Sequence, residues 1–288
     1  MLRQKITYLL SSTRKRIRAQ GENCPSCGAS FGELVQRKYL VTSLVRCNSC
    51  LLLYRTPTTS IKENHTFYQK AYTQGVVTNL PSDAELSSLM ATKFNHPSSD
   101  YSKYIEILQA IGCKKGDKLL DFGCSWGYGS WQFKQHGFEV QSFEISQPRG
   151  QFAKEKLGVD LLDGMEKAEG PYDIFFSSHV LEHVPSVRSV IEDGFRLLRS
   201  GGVFMAITPN GSAAFRSKSP NAWSQLWGNV HPQFLDDVYY NKQFQQYPHI
   251  LASNPFEISE LRQWGQFKKG VVSLNLSGDM LLCIAIKD

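Results

Sequence analysis

The run Lys118-Leu119-Leu120-Asp121-Phe122-Gly123-Cys124-Ser125-Trp126-Gly127-Tyr128-Gly129-Ser130 constrains the fold of this chain more than any other stretch. A short apolar strand enters a glycine-rich turn and then a helix over 130–136, stopped by Gly137. Glycines let a backbone approach a ligand closely and adopt positive φ. A turn built for pyrophosphate reads Gly-x-Gly-x-x-Gly and keeps negative charge away. Here the glycines fall at Gly123, Gly127 and Gly129, and Asp121 ends the strand. A carboxylate there repels phosphate and suits a ligand bearing a cation, such as an ammonium. A second strand, Phe138–Phe143, ends at Glu144. A doubly wound sheet holds its ribose-binding acid at that position, and a carboxylate can accept two hydrogen bonds from a ribose diol.

A helix precedes the run at 99–111, with Tyr101, Tyr104, Ile105, Leu108 and Ile111 on one face. Downstream come Asp163-Gly164-Met165 after a third strand, then Tyr172-Asp173-Ile174-Phe175-Phe176 and Ser177-Ser178-His179-Val180-Leu181-Glu182-His183. Leu197-Leu198-Arg199-Ser200-Gly201-Gly202-Val203 leads a fifth strand into Thr208-Pro209-Asn210. In this order the segments resemble class I S-adenosyl-L-methionine (SAM) dependent methyltransferases, closely over 100–210 and loosely beyond. The resemblance implies an α/β fold, a doubly wound, Rossmann-like seven-stranded sheet, mostly parallel, with SAM as cofactor. It places Asp121, Gly123 and Gly127 at the methionyl end, Glu144 at the ribose, and Asp163 with Met165 at the adenine. Cys124, Gly129, Ser178 and His179 complete the expected cofactor-binding set, His179 facing the donor methyl and the acceptor. Asp163 has an equal alternative as a solvated loop acid. A helix over Phe256–Trp264 and an antiparallel pair, about Phe267–Leu274 and Met280–Ile286, are expected to close the domain.

A second feature lies ahead of that domain. Cys24, Cys27, Cys47 and Cys50 form two Cys-x-x-Cys pairs, and Gly28 follows the first, as tight knuckles prefer. Two such turns can present four thiolates to one Zn²⁺, filling its coordination, so the site is expected to be structural. Tyr39-Leu40-Val41 and Leu44-Val45 read as short strands between the knuckles, giving a ribbon too small to hold itself by burial alone. Cys113, Cys124 and Cys283 lie in or beside apolar runs and read as core thiols.

The organisation expected is a basic segment at 1–20, the ribbon at 21–56, a linker at 57–98 and the methyltransferase domain at 99–288, with a cap insertion at 211–254. Segment 1–20 contains six basic residues and no acid, which accounts for the whole net charge of +6. It reads as a solvated helix, a contact for anionic lipid, nucleic acid or acidic polymer, or a targeting peptide. The remainder is balanced, which argues against a nucleic-acid channel. No apolar stretch is long enough to span a bilayer, and a cytoplasmic location is expected.

Tyr68 and Tyr72 in the linker are candidates to roof the site, against simple packing of the linker. The cap carries Trp223, Trp227, His231, Phe234, Tyr239, Tyr240, Phe244, Tyr247 and His249, which fit a sugar or ring platform or, equally, a small core. Methyl transfer is an in-line displacement that needs alignment and at most one proton acceptor. His231, in the cap, is the first candidate base, with His179 and His183 next; a structural role is the alternative for each.

Bacterial sugar, polysaccharide and natural-product methyltransferases resemble this chain in joining such a ribbon to such a domain, which implies a saccharide or other small-molecule acceptor, methylated at oxygen. Large-subunit rRNA guanine methyltransferases share the plan and give the RNA alternative. An inert zinc-ribbon scaffold is the third.

Overall fold

The computed structural model describes residues 2–30, 32–70 and 79–288, with the side chains of 2–5, 67, 68 and 70 excepted. The Tyr68 ring and all of Tyr72 therefore lie outside the described residues. The chain opens with helix α1 (Leu2–Ile17). Two of its cations are engaged within the molecule: Lys15 Nζ stands 2.6 Å from Glu63, and Arg16 makes a fork to Glu22 at 2.7 and 2.8 Å while reaching Ser43 and Thr56. Arg14 and Arg18 remain exposed.

Strands β1 (Gly32–Lys38), β2 (Thr42–Cys47) and β3 (Leu53–Thr56) form an antiparallel sheet. Tyr39 and Leu40, expected in a strand, take φ of 54° and 59° and make the hairpin turn. The Tyr39-Leu40-Val41 run is apolar, but it is the hairpin connection, and Leu40 is almost fully exposed.

The expected linker contains two helices, α2 (Ile61–Lys70) and α3 (Asp83–Ala91). The second starts at a capping box in which the Ser82 side chain accepts from the Glu85 backbone N–H and the Glu85 carboxylate from that of Ser82.

Helix α4 (Ser102–Ala110), β4 (Lys118–Phe122), α5 (Tyr128–Gln135), β5 (Glu139–Phe143), α6 (Gln147–Leu157), β6 (Tyr172–Ser178), α7 (Val187–Leu197) and β7 (Leu198–Pro209) follow. After them come α8 (Ala213–Lys218), α9 (Pro220–Gln225), β8 (Gln233–Phe234), α10 (Asp237–Gln243), β9 (His249–Ser253), α11 (Ile258–Phe267), β10 (Val271–Ser273) and β11 (Met280–Ile286). Seven strands form the main sheet in the order β10-β9-β11-β7-β6-β4-β5. Strands β4 to β7 are mutually parallel, and β11 runs antiparallel between β7 and β9. Alternate residues face opposite layers: Phe175, Phe204 and Ala206 pack into one core, Ile174, Phe176, Met205 and Ile207 into the other.

Two sequence expectations about this sheet are corrected. The third strand, ahead of Asp163, is a single bridge between Ser142 and Leu161, because only four residues separate the capping Gly158 from Asp163. The seventh strand is instead β9, which falls inside the expected cap; all five of its side chains are buried. The last two strands do not pair, since β7 and β9 occupy both edges of β11, and β10 lies parallel on β9.

The cap is not a free lid. Strand β8 pairs antiparallel with β3, with Leu53 opposite Phe234 and Tyr54 opposite Gln233, and completes the ribbon's sheet from the far end of the chain. Phe215, Trp223, Trp227 and Phe234 form one core with Leu44 and Leu53 of the ribbon. Trp227 Nε1 donates to Gln36 at 2.8 Å, and Lys38 lies over the Trp227 ring. Tyr239, Tyr240 and Phe244 join the main core beside Cys24, Cys47 and Cys50. These aromatics are a core, which removes them as a platform for a sugar. No helix among the described residues is long and apolar enough to cross a membrane.

Candidate functional site

A cavity of about 370 Å³ opens at the carboxyl ends of β4, β5 and β6. Strand β4 has β5 on one side and β6 on the other, so this is a topological switch point, where open α/β sheets bind ligands. Gly123 and Ser125 reach the cavity from the turn after β4, Glu144 from the end of β5, and Ser178, His179 and His183 from the end of β6.

The turn is shaped by contact. Gly123 has φ 86°, and a Cβ there would collide with Val180. Gly129 lies against the ring of Tyr101, where a Cβ has no room, and Gly127 caps α5. Ser125 holds φ 54°, uncommon outside glycine. Its backbone N–H donates to Glu144 Oε2 at 2.8 Å, and its hydroxyl receives Arg149 Nη1 at 2.7 Å. Glu144 Oε1 accepts from the Ser146 N–H at 2.7 Å. The carboxylate is thus aimed by two backbone donors, and each oxygen keeps a second lone pair for a ligand. Burial nevertheless lifts its pKa.

Asp121 is beneath the turn and does not line the cavity. Its carboxylate accepts from Ser130 Oγ at 2.6 Å, and Ser142 donates to Ser130 in turn. Burial pushes Asp121 up to about 7 against that hydrogen bond. Cys124 is buried under the same turn, its thiol pushed well up by burial. Asp163 is exposed, and Met165 is half-buried against the core; neither lines the cavity.

Sequence reasoning placed Tyr101 and Tyr104 only on the packing face of a helix, yet both line the cavity. Their rings meet edge-to-face at 5.1 Å, and Tyr101 meets Tyr128 similarly at 5.3 Å. Burial raises both phenols, and Ser178 acts on both in the opposite sense. Tyrosine's two-sided character is the available signal, since its ring packs while its hydroxyl seeks a polar partner. Asn64 was also missed. It comes from α2, donates to the His183 carbonyl at 2.7 Å and lines the cavity, and Gln69 on the same helix donates to the Ile145 carbonyl at 2.7 Å. The linker thus covers one side of the site through α2.

The three candidate histidines gather around Glu182. Its buried carboxylate stands 3.5 Å from His179 Nδ1 and 3.7 Å from His183 Nε2. His183 and His231 stack edge-on at 4.7 Å. His231 does not line the cavity; it stands behind His183, which does. Burial, opposed by Glu182, holds the His183 imidazole down at about 4, so it is neutral at physiological pH. His179 adopts φ 55° and donates its backbone N–H to the Ile207 carbonyl at 2.8 Å. The segment is tied to the ribbon's sheet, because the Gln233 N–H donates to the Glu182 carbonyl and its amide to that of Val184.

The four ribbon thiols come together. Cys24 and Cys50 sulfurs are 3.6 Å apart and those of Cys27 and Cys47 3.5 Å, all four lying within 4.8 Å of one another. A tetrahedron with Zn–S bonds of about 2.3 Å has edges of roughly 3.8 Å, so the donor set fits the ion. The two knuckles are equivalent: Gly28 N–H returns to the Cys24 carbonyl and Leu51 N–H to that of Cys47, both at positive φ.

A family model described as a methyltransferase domain matches residues 98–248. Malonyl-[acyl-carrier protein] O-methyltransferase of Serratia marcescens is 24% identical over 155 residues, 49% of this chain, and the chain spans only 60% of that protein's length. Sarcosine/dimethylglycine N-methyltransferase of Aphanothece halophytica is 30% identical over 107 residues, 33% of this chain and 38% of that protein. Among solved structures, the plantazolicin methyltransferase BamL, in complex with a triazolic desmethylPZN analog and SAH, superposes with a TM-score of 0.51 at 12% identity. The match covers 79% of this chain and 97% of that one.

Proposed function

The chain belongs to the methyltransferase-domain family and has the class I fold, and from that premise we propose that it is a SAM-dependent enzyme that methylates an oxygen of a small polar acceptor, a saccharide or comparable metabolite. The observation that carries the reading is the Glu144 carboxylate, aimed by Ser125 and Ser146 into a cavity that His179 and His183 also line. In this reading Glu144 holds the ribose diol, and Gly123 allows the methionyl part close to the backbone. The apolar wall of Phe143, Val184 and Val190 takes the adenine in place of Asp163 and Met165, which stand outside the cavity. Bound there, the sulfonium supplies the methyl group and the driving force.

The protein's own task is alignment and proton removal. His179 faces the cavity with Glu182 behind it, which suits it to take the proton of an acceptor hydroxyl. His231 is placed behind His183 and is assigned a supporting role. Ser98, Asp100 and Lys103 also line the cavity and offer polar contacts to an acceptor rich in hydroxyls. The ribbon is proposed to hold one structural Zn²⁺ through Cys24, Cys27, Cys47 and Cys50. Engagement of Lys15 and Arg16 inside the molecule leaves the amino-terminal segment fewer cations for RNA or lipid.

Transfer of labelled methyl from SAM into a fractionated extract of the source cell tests the reading. Label in saccharide or small-molecule fractions, insensitive to ribonuclease, is the expected result. Ribonuclease-sensitive label would replace the reading with RNA methylation.

A further inference from the structure

The Glu182 carboxylate is buried without a hydrogen-bond donor among the described residues, and only the imidazoles of His183, His179 and His231 hold its charge, against burial. It is 1% exposed, and neither oxygen has a hydrogen-bond partner among the described residues. A carboxylate carried into a protein interior needs a compensating donor or cation, because an unpaired buried charge is among the costliest groups a fold can hold. Two imidazoles stand at ion-pair distances of 3.5 and 3.7 Å, beyond hydrogen bonding.

The imidazoles are oriented in a way that meets that need. His183 Nδ1 lies 2.6 Å from the Val230 carbonyl, and His231 Nδ1 lies 2.6 Å from the Leu226 carbonyl. A ring nitrogen against a carbonyl oxygen carries the proton, so in each neutral ring Nε2 carries the lone pair. Metal-ligating histidines are held this way, with the second nitrogen donating to a backbone carbonyl. One ligand atom from each of Glu182, His183 and His231 falls within 4.8 Å of the others.

From this arrangement we infer that Glu182, His183 and His231 form a second metal site, distinct from the cysteine ribbon, which takes a first-row divalent cation of the Zn²⁺ class. Two imidazoles and one carboxylate are a donor set such ions favour over Mg²⁺ or Ca²⁺, which prefer all-oxygen shells. Three protein ligands leave a coordination position open. His183 also lines the cavity, with Glu182 and His231 behind it, so the site adjoins the space proposed for the acceptor. An ion held by these three residues would supply Lewis-acid polarisation of an acceptor hydroxyl, with His179 on the same cavity wall segment to take the proton. That role rests on the proposed function; the ion site itself does not.

Cobalt titration of the metal-stripped, reduced full-length protein, with Co²⁺ as the probe, separates the two sites. The first class of site shows the near-ultraviolet thiolate-to-cobalt charge transfer of the four cysteines. The second is expected to take one further Co²⁺ per chain with visible bands and no added thiolate charge transfer. His231→Asn and Glu182→Gln should each lose that second equivalent and keep the first, while SAM affinity by calorimetry stays within about threefold. The ribbon's charge-transfer band and the retained SAM affinity report that each variant is folded. Saturation of the wild-type chain at one Co²⁺, or a second equivalent that survives both substitutions, overturns the inference. Loss of SAM binding in the wild-type protein would instead defeat the proposed function and leave the ion count standing.

Discussion

The guanidinium of Arg46 stands 2.5 Å from the carboxylate of Asp236. Arg46 belongs to the ribbon strand β2 and also donates to the Leu51 carbonyl in the second knuckle. Asp236 is buried at the start of α10, where its other oxygen caps the Tyr239 N–H at 2.9 Å. One ion pair thus joins the second cysteine knuckle to the methyltransferase domain. Arg46→Met should cost roughly 3–5 kcal/mol, because it leaves the Asp236 charge buried and unpaired. Adding Asp236→Asn should recover part of the loss. Urea unfolding of the two variants measures both quantities.

Removing the ribbon metal should be felt well outside the ribbon. Strand β8 and the Trp223, Trp227 and Phe234 rings pack on it. Chelation under reducing conditions, or Cys24→Ser with Cys47→Ser, should release amide protection in 32–56 and 213–244 together while β4 to β7 keep theirs. Hydrogen exchange confined to 21–56 would show the ribbon to be an independent module.

Glu144→Ala should weaken SAM binding by about 100-fold, the effect of losing two hydrogen bonds to a charged group, roughly 3 kcal/mol. Calorimetry reads the affinity and circular dichroism the fold. An unchanged affinity would remove Glu144 from the ribose.

Asp121 should make stability depend on pH. Burial raises it to about 7 in the folded chain, well above the value for an exposed aspartate. The folded state therefore binds a proton that the unfolded state has released between about pH 4 and pH 7. The stability from this group is fully present below about pH 4 and is lost as the pH rises through about 7, a total of roughly 2–4 kcal/mol. Asp121→Asn should flatten that slope. Chemical unfolding at pH 5 and pH 8 makes the comparison.

Features carried by neighbouring residues are legible in the sequence, and features carried by distant pairing are not. The β4 strand, its glycine turn and Glu144 form one local pattern, as do the doubled cysteine knuckles, and the structure brings each set together. The capping box at Ser82 and Glu85 is local too and marks α3 inside a segment whose polarity suggests only a linker. Strand β9 is invisible because a strand buried on both faces has no alternation, and its neighbours are aromatics that suggest a cap. The approach of His231 to His183 and the pairing of Phe234 with Leu53 depend on chain closure across dozens of residues or more. Tyr101 and Tyr104 satisfy a helical period and a cavity wall at once, and the period alone accounts for their positions.

The Leu53–Phe234 pairing also has a meaning in time. The two residues are about 180 positions apart, so a ribosome adding 5–20 residues per second takes roughly ten to forty seconds to deliver the second after the first. During that interval β3 is a bare sheet edge, a template for another nascent chain. The knuckles precede it and can capture their ion early, which would keep the young hairpin folded but not shielded. A chaperone bound to 32–56 would cover this edge until Gln233 and Phe234 arrive to pair with it.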